Sequence, residues 1–147
     1  MRLEVQISAN TGRSYRVQRK EDGNGLTLGS LVYSDREYRY ATVAASVQGA
    51  TYIATPNDDK GENGLQLTIN VNKPVQLYVA FSDRVEVRPS WFNSFQDTGE
   101  DVSFLSPTGN VVNLSLYQAA FPAGPIRLGL SDPTGIGYTM YTIVIKD

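Results

Sequence analysis

Apolar and polar residues alternate with period two along most of the chain, starting with Arg2-Leu3-Glu4-Val5-Gln6-Ile7, and helical stripes are absent. The alternation predicts strands over Leu3–Ser8, Ser14–Gln18, Tyr38–Ala44, Ala50–Thr55, Leu65–Val71, Val75–Ser82, Val102–Leu105, Val111–Tyr117, Ile126–Leu130 and Tyr138–Ile145. All are rich in the branched and aromatic residues that suit a pleated, half-buried surface. Turn chemistry separates them: Asp22-Gly23-Asn24-Gly25, Asn57-Asp58-Asp59, Asn63-Gly64, Asn72-Lys73-Pro74, Pro107-Thr108-Gly109-Asn110 and Asp132-Pro133-Thr134-Gly135. Only Pro89–Phe95 reads as helical, as a single turn opened by Pro-Ser. Many short strands with this punctuation predict an all-β fold, an antiparallel two-sheet β-sandwich of jelly-roll-like build. With no linker and no repeat, the chain reads as a single domain spanning 1–147.

Three consecutive strands carry the most detailed expectation. Ala50–Thr55, Leu65–Val71 and Val75–Ser82 read as an antiparallel meander, its second pair closed by Asn72-Lys73-Pro74. The third strand has Leu77, Val79 and Phe81 on one face and Tyr78, Ala80 and Ser82 on the other, so it belongs at a sheet centre. A meander brings the loop Asn57-Asp58-Asp59-Lys60 to the same edge as Asp83-Arg84, with Trp91 just beyond.

Composition narrows the chemistry. The 147 residues contain no His and no Cys, which excludes a Ser-His-Asp triad, a Cys nucleophile, a thiolate zinc site and a disulfide framework. Thirteen basic against fifteen acidic residues argue against nucleic acid as a partner. No stretch approaches the roughly 18 apolar residues of a membrane helix, and the N-terminus lacks the apolar region of a signal peptide.

The run Ala50-Thr51-Tyr52-Ile53-Ala54-Thr55-Pro56-Asn57-Asp58-Asp59-Lys60 is followed by Leu77-Tyr78-Val79-Ala80-Phe81-Ser82-Asp83-Arg84 and Pro89-Ser90-Trp91-Phe92. Phe95-Gln96-Asp97-Thr98-Gly99, Leu116-Tyr117, Phe121-Pro122-Ala123-Gly124 and Met140-Tyr141-Thr142-Ile143-Val144 complete the series. From about Tyr38 to Ile145 the chain resembles an ancillary β-sandwich module of bacterial polysaccharide lyases and glycoside hydrolases, of the carbohydrate-binding-module kind. The resemblance implies a non-catalytic domain beside a parent catalytic domain in cis. It also implies an acidic or neutral polysaccharide, or an oligosaccharide, as partner and an extracellular location, as a module excised from a secreted bacterial protein.

On that reading Asp58, Asp59, Lys60, Arg84, Arg88 and Trp91 form the carbohydrate site. Trp91 offers a flat face to a pyranose ring. Asp58, Asp59 and Arg84 hydrogen-bond hydroxyls, and Lys60 and Arg88 select anionic sugars. Each feature has a plainer reading. The charges pair with one another and pin a loop, and Trp91, Phe92 and Phe95 staple an irregular segment. The row Tyr33, Tyr38 and Tyr40 is a second aromatic candidate, whose plain reading is a core face. No cofactor is expected, although Asp58, Asp59, Glu62 and Asn63, or Asp97, Glu100 and Asp101, supply oxygens of the type a structural Ca²⁺ takes. Neither group has the spacing of an EF-hand loop. Asn113-Leu114-Ser115 matches a glycosylation sequon but falls within a predicted strand. Three functions stay distinct: a binding module with an exposed Trp91, a structural spacer with Trp91 buried and its charges internally paired, and a small enzyme with two carboxylates across a deep cleft.

Overall fold

The computed structural model describes residues 2–134 and 138–147. Ten strands follow in chain order: β1 Val5–Ala9, β2 Arg16–Gln18, β3 Arg39–Thr42, β4 Thr51–Ala54 and β5 Leu67–Val71, then β6 Val75–Ser82, β7 Gln96–Leu105, β8 Val111–Phe121, β9 Gly124–Leu128 and β10 Thr142–Lys146. Each predicted strand has its counterpart, and the only helices among the described residues are single 3₁₀ turns, one of them Ser90–Ser94. The strands build two antiparallel sheets, three-stranded β1-β5-β9 and seven-stranded β2-β4-β10-β6-β8-β7-β3. The all-β sandwich expected from the alternation is the fold. The turn at Asp132-Pro133-Thr134-Gly135 ends outside the described residues.

The meander is corrected. β4 and β6 both pair with β10, Ile143 lying opposite Ile53 on one side and Val79 on the other, while β5 pairs with β1 and β9 in the smaller sheet. Asn72-Lys73-Pro74 therefore carries the chain across the sandwich instead of closing a hairpin. The side chains explain why. β5 is apolar on one face only, with Leu67, Ile69 and Val71 buried and Asn70 exposed, whereas β6 is buried on both faces from Leu77 to Ser82. A one-faced strand suits an outer layer, and a two-faced strand needs cover on both sides.

Each face of the larger sheet has its own cover. Tyr52, Tyr40 of β3 and Phe104 lie on the Tyr78–Ala80 side, which the mostly irregular residues flanking β3 cover. Tyr33 packs edge-on against Phe104 with centroids 5.6 Å apart, and Tyr38 stacks on it at 5.4 Å. Gly25 fits this segment tightly against its return, since a Cβ there would stand 2.2 Å from the Gly49 carbonyl oxygen. The Leu77–Val79–Phe81 side meets the smaller sheet and the Trp91 segment, with Phe81 4.9 Å from Phe92. Burying each such side chain contributes about 2 kcal/mol.

Two strands run well past their predicted limits, further than any other. β7 begins at Gln96 because its register slips between Asp97 and Asp101, where Gly99 takes φ +78° and the Thr98 hydroxyl donates to the Leu116 carbonyl. β8 continues to Phe121, opposite Val75. The chain leaves β8 through Pro122 and Ala123 for the smaller sheet, so β7 and β8, joined by the Ser106–Asn110 turn, form a local hairpin.

Seven strands at about 4.8 Å spacing are far wider than three, so the larger sheet overhangs the smaller one. The overhang is the β8-β7-β3 side. Its residues Asn113, Asp101 and Thr42 are exposed and Ser115 is half-buried, all on the face that carries Phe81 further in.

Tyr33 and Tyr141 are fully buried, and loss of hydration pushes both phenols well above the ordinary tyrosine range. A folded value above the unfolded one contributes stability that is full below pH about 10 and falls as pH rises further. Alkaline titration followed by tyrosinate absorbance is therefore expected to show these two ionising only with cooperative loss of the sheet signal in circular dichroism. Gradual ionisation of all nine tyrosines with the sheets intact contradicts this.

Candidate functional site

The six sequence-predicted residues do not form one site. The loops after β4 and β6 do emerge at the same end of the larger sheet, because both strands run antiparallel to β10. They stand one strand apart, and each spends its polar groups on different neighbours.

Asp59 lies fully buried in the 3₁₀ turn Asn57–Gly61. Its carboxylate accepts from Arg13 Nη1 at 2.6 Å, Thr11 Oγ1 at 2.9 Å and the Tyr15 hydroxyl. Burial, and then the hydrogen bond to Asp59, drives the Tyr15 phenol far up. Asp58 is exposed and paired with Arg36 Nη2 at 2.6 Å, a hydrogen bond that holds its carboxyl below the usual range. Asp35 accepts the backbone N–H groups of Asn57 and Asp58, while Asn57 Oδ1 accepts that of Met140. Lys60 makes no ion pair among the described residues. This loop is a knot that ties residues 11–15 and 35–36 to the end of β4.

Arg88 is also committed. Its Nη2 donates to the Tyr117 hydroxyl at 3.0 Å, and the guanidinium lies 4.8 Å from the Phe81 centroid and 5.2 Å from that of Tyr117. Trp91 donates Nε1–H to the Leu130 carbonyl at 2.9 Å and packs among Phe81, Phe92, Phe95 and Tyr141. A Cβ on Gly129 would come within 3.0 Å of its ring. The stapling reading of Trp91 describes these contacts, and they leave the residue half-buried. Tyr33 and Tyr40 are buried and Tyr38 stacks on Phe104, so the tyrosine row is core.

Arg84 differs. It is exposed, lies 4.6 Å over the Tyr138 ring, and has no carboxylate within 4.0 Å among the described residues. Asp83 beside it turns towards β8, accepting from Asn113 Nδ2 at 2.8 Å and from the Ser115 hydroxyl. These two residues, with Thr108, Asn110, Val111 and Asn113, line an open groove of about 580 Å³ between the end of β6 and the β7–β8 turn. The sequence marked Asn113 and Ser115 only as the ends of a sequon and not as site residues, although period two places them with Tyr117 on one face of β8. The amide of the sequon's Asn113 is the one bonded to Asp83. Among the described residues no three acidic side chains converge as a metal site, and Asp58 and Asp59 answer to guanidinium groups.

The molecule is thus a two-sheet sandwich with an overhanging polar face and a groove at one end of it. No protein-family profile matches the chain. It is 26% identical over 123 residues to a stretch of a β-glucuronidase from Formosa agariphila, covering 81% of this chain and 12% of that protein. Among solved structures, a β-glucuronidase from glycoside hydrolase family 2 superposes with a TM-score of 0.78 at 23% identity, over 96% of this chain and 14% of that one. A GH138 enzyme targeting pectin rhamnogalacturonan II superposes with a TM-score of 0.56 at 15% identity, over 94% and 15%. The chain therefore resembles a β-sandwich segment of carbohydrate-active enzymes and spans about an eighth of the curated relative it matches.

These contacts set the expected cost of two substitutions. Replacing Asp59 by Ala orphans the Tyr15 and Thr11 donors and is expected to cost about 1–3 kcal/mol, read as a lower urea midpoint. Asp58→Ala, which removes only an exposed pair, is expected to leave the midpoint unchanged. Trp91→Ala is expected to cost about 3 kcal/mol by opening the aromatic cluster, and wild-type Trp emission to be blue-shifted and weakly quenched by iodide. Ready quenching of the wild-type emission, with an unchanged midpoint in Trp91→Ala, would return Trp91 to the surface.

Proposed function

We propose that this chain is a non-catalytic accessory domain of a polysaccharide-degrading glycoside hydrolase, acting in cis with a catalytic domain and holding carbohydrate near it. One observation carries the reading: nearly the whole chain corresponds to a small β-sandwich segment of much larger glycosidases. The overhanging face of the larger sheet supports the binding part, because it presents hydroxyl, amide and carboxylate groups on a rigid sheet. Such shallow sites give modest affinity, about 5–7 kcal/mol after the costs of ordering.

A specific observation favours a second reading, the structural spacer. Asp58 and Asp59 are held in internal ion pairs and Trp91 packs into an aromatic cluster, as a spacer requires.

Incubation with a panel of insoluble and soluble plant and algal polysaccharides separates the two. Depletion from solution by at least one polymer, with no reducing ends released, is the expected result. Failure to bind any polymer makes the spacer the better reading, and released reducing ends overturn the non-catalytic assignment.

A further inference from the structure

We infer that the groove between Asp83-Arg84 and the β7–β8 turn is a subsite for a neutral pyranose, recognised through vicinal hydroxyls; this rests on the carbohydrate-binding reading above. The donors and acceptors are fixed before any ligand arrives. Arg84 is steadied by the Tyr138 ring, and no carboxylate claims its N–H groups among the described residues. Asp83 is oriented by Asn113 and Ser115, yet each carboxylate oxygen keeps a lone pair for a hydroxyl. Asn110 is braced by its Nδ2 on Thr108 Oγ1 at 3.2 Å and its backbone N–H on Ser106 Oγ at 3.2 Å. Val111, 66% exposed, offers an apolar surface for the C–H groups of a sugar ring.

Charge decides the ligand class. The groove holds one anion and one cation side by side, so it has no net charge for an acidic sugar to seek. The cations first assigned to anion selection do not line it: Arg88 lies against the Phe81 and Tyr117 rings, and Lys60 sits on the loop after β4. A carboxylate or sulfate entering beside Arg84 also meets Asp83, and juxtaposed like charges disfavour a partner. Hydroxyls use both residues at once, donating to Asp83 and accepting from Arg84.

Affinity gel electrophoresis with neutral galactan, xyloglucan and mannan, and with polygalacturonate and a sulfated carrageenan, tests the assignment. The wild-type protein is expected to be retarded by at least one neutral polymer. Asp83→Ala and Arg84→Ala are each expected to weaken this at least about tenfold, as loss of a charged hydrogen-bond partner does. The exposed Glu86, outside the groove, serves as the control, and Glu86→Ala is expected to behave as wild type. Circular dichroism checks the fold, and Asp83→Asn with Arg84→Gln replaces any alanine variant that does not fold. Retardation that survives both groove substitutions overturns the subsite and leaves the proposed function standing. Retardation by the acidic polymers alone overturns the ligand class. No retardation by any polymer overturns the subsite together with the carbohydrate-binding reading.

Discussion

β6 must be dried on both of its faces, and the layering of the molecule follows from that. Leu77, Val79 and Phe81 on one side and Tyr78 and Ala80 on the other are all buried, in a strand with β10 and β8 as neighbours. One side is covered by a second sheet, as in other sandwiches. The other is covered by the long irregular stretch 26–47, which brings its own apolar residues, Leu26, Val32, Tyr33 and Val47, all fully buried. Two hydrogen bonds tie that stretch to the sheet: the Tyr33 hydroxyl donates to the Met140 carbonyl, and the Leu31 carbonyl accepts from the Tyr52 hydroxyl. Strand β3 leaves it to complete the far edge of the larger sheet.

The strands were legible in the sequence because period two is a local property. Their partners were not, because pairing depends on which faces remain apolar once the whole chain is present. The short Asn72-Lys73-Pro74 link suits a hairpin and a crossing equally well, and the one-faced β5 beside the two-faced β6 decides for the crossing. The bulge at Thr98-Gly99-Glu100 also hid in the sequence, since it breaks the alternation that marks a strand.

The polar residues divide for a related reason. Asp58, Asp59 and Arg88 attract attention in a sequence because charges near aromatics suit sugar recognition, but the same features suit internal ion pairs and cation–π contacts. Their partners Arg13, Tyr15, Arg36 and Tyr117 lie between 22 and 46 positions away, beyond the reach of motif reading. Arg84 was legible as a candidate, whereas its groove was not, because Asn110 and Asn113 arrive from a hairpin that only the folded sheet brings alongside β6.

The position of β10 bears on the order of events during synthesis. Thr142–Lys146 is the last strand in the sequence and yet sits between β4 and β6 in the larger sheet. Until those residues leave the ribosome, β4 and β6 have no strand between them, and their apolar edges stay open to wrong partners. β2 and β4 cannot join β6 in one sheet until the final strand pairs between them, and closure by contacts between such distant parts of the chain is the kind of topology that folds slowly.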